Sequence, residues 1–112
     1  MKRSLKFLSL FLICILTFLL TACIPSDVES ARQKMEEAGY FVEELGGDEE
    51  DGIIGGINAI GFNEGLIALY FESSTLAKEY AKDWVDSKYS VTEYNGNWAY
   101  IGTSKAVKDF KK

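Results

Sequence analysis

The sequence predicts an α+β domain, an antiparallel sheet of four to five strands with helices on one face. Three observations lead there. Two amphipathic helical stretches are each followed by strand-like runs. Asn95-Gly96 lies between two alternating segments, a strong two-residue hairpin signal because both residues tolerate positive φ. The two halves also look alike, Met35–Glu43 echoing Val85–Glu93 as the end of a helix running into a strand.

Ser26-Asp27-Val28-Glu29 has the capping-box pattern, with the Ser26 hydroxyl expected to accept the amide of Glu29. Val28, Ala31, Met35 and Ala38 then form one apolar stripe, and Gly39 stands where a left-handed C-cap belongs, so a helix is expected over 26–38. Tyr40 to Leu45 reads as a strand leading into the polar loop Gly46–Gly52. Ile53 to Phe62 is apolar but broken by Gly55, Gly56 and Gly61, which predicts a bulged or edge strand. After a turn at Asn63-Glu64-Gly65, Leu66 to Glu72 is apolar and aromatic on both faces, as a central strand should be.

A second helix is expected from Ser74 to about Ser87, with Leu76/Ala77, Tyr80/Ala81 and Trp84/Val85 as its stripe. Tyr89–Tyr94 and Trp98–Ile101 form the hairpin, a two-residue loop setting Val91 against Tyr100 and Glu93 against Trp98. Thr103 caps a last short helix with Val107 and Phe110 on its inner side. Two αββ units placed side by side would give a permuted ferredoxin-like arrangement.

The N-terminus reads as targeting rather than fold. Lys2, Arg3 and Lys6 precede a 14-residue apolar run, Phe7 to Leu20, broken only by Ser9 and Thr17. That is the length of a secretory signal core, while a membrane span needs about 20 residues. The run ends in Leu20-Thr21-Ala22-Cys23, which resembles the lipobox of bacterial lipoproteins. The resemblance implies that residues 1–22 are removed by a signal peptidase recognising Leu20, Thr21 and Ala22, and that Cys23 carries the lipid. The C-terminal Gly96–Thr103 stretch, with Ala106 and Phe110, is similar to the ends of small uncharacterised lipoproteins of Gram-positive-type bacteria, a likeness that implies no activity.

On this reading residues 23–25 are the lipidated cysteine and a short tether, and 26–112 are one small domain. The expected location is the extracytoplasmic face of a membrane, the cell membrane or, in a Gram-negative envelope, the outer one. Two or three acyl chains meet the two-signal requirement for stable anchoring.

Charge separates along the chain. From Cys23 onward there are nine basic residues against all 17 acidic ones, a net charge of −8. Such a domain repels phosphate backbones, which argues against nucleic acid as a partner. The chain has no histidine, and Cys14 lies in the segment to be removed. With Cys23 lipidated, no thiol, disulfide or usual zinc ligand is left in the mature domain, and no cofactor is expected beyond the covalent lipid. Nothing pairs two carboxylates in a cleft, so no enzyme is expected.

Two candidate sites follow. The loop Asp48-Glu49-Glu50-Asp51 alternates acids before Gly52, so Asp48, Glu50 and Asp51 are candidate calcium ligands, although the later bidentate acid of a calcium loop is missing. Helices on one face would leave the other sheet face bare, with Tyr94, Ala99 and Ile101 as an apolar partner surface. The leading expectation is a non-enzymatic, lipid-anchored module that binds a membrane-proximal protein. A small-ligand or cation carrier and an inhibitor of a secreted or envelope enzyme are the alternatives.

Overall fold

Asp27, not Ser26, starts the first helix: its carboxylate accepts the Ser30 amide at 2.8 Å, while the Ser26 hydroxyl sits 3.4 Å from that of Ser30. The structure, a computed structural model, describes residues 24–112. Its elements are α1 (Val28–Glu37), β1 (Phe41–Leu45), β2 (Ile53–Gly61), β3 (Glu64–Phe71), α2 (Ser74–Asp83), β4 (Val91–Asn95), β5 (Trp98–Gly102) and α3 (Ser104–Lys111). The strands form one antiparallel sheet in the order β1-β2-β3-β5-β4. The α+β class and the short C-terminal helix are as the sequence predicts. Gly39 takes φ +99 just past α1, and the Ser73 and Thr103 hydroxyls accept amides of Leu76 and Ala106 to start α2 and α3.

The turns shift two registers. Gly96 (φ +58) is the first loop residue of the β4–β5 hairpin, so Asn95 stays extended and pairs with Trp98. Glu93 therefore faces Tyr100 rather than the expected Trp98, and Val91 faces Gly102 rather than Tyr100. Glycine takes the positive φ at less cost than asparagine, which fixes the loop at Gly96-Asn97. The β2–β3 turn is likewise Phe62-Asn63, with Asn63 at φ +59 and Gly61 opposite Glu64. β2 is bulged between Ile53 and Gly55, in keeping with its glycines.

Both faces of the sheet are covered, which corrects the expectation of helices on one face. On one face Ile57, Ala59, Leu66, Ala68, Trp98 and Tyr100 meet Ala31 and Met35 of α1 and Ala106, Val107 and Phe110 of α3. On the other, Leu69, Phe71 and Ala99 meet Ala77 of α2, with Ala81 and Trp84 alongside. The central strands β3 and β5 are apolar on both sides, so one helical layer leaves half of their side chains in water. The two helix-plus-strand halves are therefore not equivalent. β1, β2 and β3 form a meander, and α2 carries the chain to the far edge before β5 returns between β4 and β3.

Ile24 and Pro25, expected to be tether, belong to the domain. Ile24 packs against the α1/α3 core, and Pro25 is buried with its carbonyl accepting from the Trp98 indole at 2.8 Å. The Ser26 carbonyl accepts from the Tyr70 hydroxyl at 3.0 Å. The start of the described chain is thus fastened where β3 ends and β5 begins.

Candidate functional site

α2 approaches the sheet through alanines. Ala77 and Ala99 are both fully buried, and their lack of bulk lets the helix lie close to β5. That places the larger residues of α2 on its flank: Leu76 and Tyr80 remain 38% and 37% exposed. With Glu79, Asp83 and Trp84 they line one wall of a cleft of about 560 Å³. Phe71 at the end of β3 lines it too, and Glu50 and Asp51 of the loop before β2 close the other side.

Gly52 lets the loop turn in toward the helix. It has φ +69, and a Cβ there would lie 2.5 Å from the Leu76 side chain. The loop is further held by backbone hydrogen bonds of 2.8 Å in both directions between Asp48 and Ile53, and by the Asp48 carboxylate accepting the Glu50 amide at 3.0 Å.

The rings form a short ladder. Phe71 and Tyr80 are tilted at 5.2 Å between centroids, and Tyr80 meets Trp84 edge-on at 5.0 Å. Four carboxylates, of Glu50, Asp51, Glu79 and Asp83, stand around these rings. Aromatic faces and carboxylates both attract an organic cation such as a guanidinium or ammonium group, and partial burial strengthens that attraction. Lys82 pairs with Glu79 at 3.5 Å; both side chains are well exposed, so the pair is weak.

The two candidate sites read from the sequence fare differently. Asp48 is used by its own loop, while Glu50 and Asp51 line the cleft; among the described residues no three acids converge as a metal site. Glu50 and Asp51 of the candidate calcium loop thus form one wall of a cleft. The expected partner surface, by contrast, is not bare. Ala99 and Ile101 are fully buried on the face that carries α2, and only Tyr94 stays exposed, at 46%. Leu20, Thr21, Ala22 and Cys23 lie outside the described residues.

The sequence reading missed Glu79, Tyr80, Asp83 and Trp84 as a site. The signal was the spacing Leu76, Glu79, Tyr80, Asp83, Trp84, a mixed acidic and aromatic stripe beside the alanine stripe.

Two other polar groupings tie elements together. Asp109 accepts from Tyr40 at 2.7 Å and from Lys105 at 3.0 Å, with Lys112 at 3.3 Å. Burial alone would raise the Asp109 carboxyl, but these donors outweigh it and hold the group below the usual range. Glu93 accepts from Tyr100 at 3.0 Å and from Lys111 at 2.9 Å. Burial, then the carboxylate partner, pushes both the Tyr40 and the Tyr100 hydroxyl up.

Comparison of the chain with protein-family models, with curated proteins and with solved structures found no match.

Proposed function

We propose that this is a lipid-anchored, extracytoplasmic, non-enzymatic binding module whose cleft beside α2 takes a cationic side chain of a membrane-proximal protein. The observation that carries the reading is the meeting of four carboxylates and three aromatic rings around one cleft. The net charge of −8 from Cys23 onward adds long-range attraction for a basic partner, felt mainly at low ionic strength. The anchor rests on the signal core and the lipobox-like ending at Cys23. An arginine or lysine suits the cleft better than an inorganic ion does, because its alkyl stem and planar or ammonium head use the rings as well as the acids.

The test is titration of the full-length lipidated protein in detergent micelles with an arginine-rich peptide at several salt concentrations. Binding should weaken with salt. The double substitution Glu79→Gln and Asp83→Asn should weaken it about tenfold, or about 1.4 kcal/mol. Equal affinity of the substituted and original proteins would remove the cleft from the account. Mass analysis of the N-terminal peptide tests the anchor separately, since Cys23→Ala should abolish the lipid adduct.

A further inference from the structure

We propose that Ile24, Pro25 and Ser26 act as a rigid mount that fixes which end of the domain faces the bilayer. The end with the 46–52 loop and the β4–β5 hairpin sits on the headgroups, and the Phe62-Asn63 turn points away from them. This rests on the reading of Cys23 as the lipid-bearing residue.

Consecutive Cα atoms are about 3.8 Å apart, so a lipid on Cys23 enters the membrane one residue from Ile24. Ile24 is packed on the core, and the next two carbonyls accept hydrogen bonds from Trp98 and Tyr70. Trp98 opens β5 and Tyr70 is the next-to-last residue of β3, so the mount is at one end of the sheet. No flexible spacer lies between Cys23 and that end. Whatever tilt the glyceryl linkage permits, the mounted end is the nearest part of the domain to the bilayer.

Surface charge would not produce this orientation. The mounted end carries Asp48, Glu49, Glu50 and Asp51, which anionic headgroups repel. The mount, rather than adsorption, must hold this end down. The cleft, lined by Glu50 and Asp51 from that loop, is thereby kept beside the membrane, within reach of a neighbouring membrane protein.

The experiment uses the full-length lipidated protein on vesicles of phosphatidylcholine containing a lipid spin-labelled at its headgroup. A fluorophore is attached to Glu49→Cys at the mounted end or to Phe62→Cys at the other end. Lipidation leaves the introduced cysteine as the one free thiol of the mature chain. β2 has nine residues, so the two ends are roughly 30 Å apart. The probe at 49 should lose most of its emission to the spin label, and the probe at 62 should keep it. An inserted Gly/Ser segment of about ten residues between Cys23 and Ile24 should bring the two signals together. Equal quenching without the insertion, or a difference that survives it, overturns the mount. Failure of the protein to float with the vesicles overturns the lipid anchor itself and is distinguished from either result by flotation alone.

Discussion

The Trp98 indole N–H donates a 2.8 Å hydrogen bond to the carbonyl of Pro25, joining residues 73 positions apart at the start of the domain and the start of β5. The same ring lies tilted against Tyr70, 4.8 Å between centroids, and meets Phe110 edge-on at 5.2 Å. One side chain thus connects the N-terminal segment, two central strands and α3.

Trp98→Phe removes the donor, leaves a buried carbonyl unpaired and opens a small void. Loss of the hydrogen bond and of ring volume should together cost about 2–3 kcal/mol. Chemical denaturation measures it, and a cost near zero would mean that the Pro25 contact contributes nothing to the fold.

Ala77→Leu places a branched side chain where α2 touches the sheet. Ala77 and Ala99 are both fully buried, so the helix must lift or tilt, at about 1–3 kcal/mol. Thermal melts report the cost. Binding of the arginine-rich peptide should weaken as well, because the helix wall of the cleft moves with it.

The same contact explains how far the sequence could be read. The helices, the strands and the existence of the hairpin were legible because caps and apolar period agree locally, as at Thr103. The first cap, however, lies one residue later than expected, at Asp27, and the hairpin loop one residue later, at Gly96-Asn97. The side of the sheet chosen by α2 was not, since Leu76/Ala77, Tyr80/Ala81 and Trp84/Val85 form a stripe that fits either face. The deciding signal lay elsewhere, in the two-sided apolar character of β3 and β5, which demands cover on both faces. The acids of the loop were legible as a cluster, but their partnership with Glu79 and Asp83 depends on tertiary packing. Pro25 gave no local sign of burial, because the indole that donates to its carbonyl comes from β5.

Gly52→Ala puts a Cβ on a backbone at φ +69 and against the Leu76 side chain. Strain of about 1 kcal/mol is expected, with the loop displaced from α2. Amide exchange in residues 48–52 should rise while the core strands keep their protection.

Asp109 makes stability depend on acid. Its carboxyl titrates lower in the folded chain than in the unfolded one, so its contribution is complete above the unfolded value of about 4 and is lost as pH falls through the folded value. Asp109→Asn should lower Tm at pH 7 and narrow that deficit at pH 3. Tyr40 and Tyr100 act at the opposite limb: their raised values mean stability that is complete below about pH 10 and declines as pH rises beyond it.

The most direct test of the binding account is to follow the two indole N–H signals, of Trp84 and Trp98, in a ¹⁵N-labelled sample titrated with an arginine-rich peptide. Trp84 lines the cleft and Trp98 is buried against Pro25, so each reports on a different place. The account requires a saturable shift of the Trp84 signal, reduced by Glu79→Gln with Asp83→Asn, and little change at Trp98. No saturable shift at Trp84, or one that the double substitution leaves intact, would contradict it.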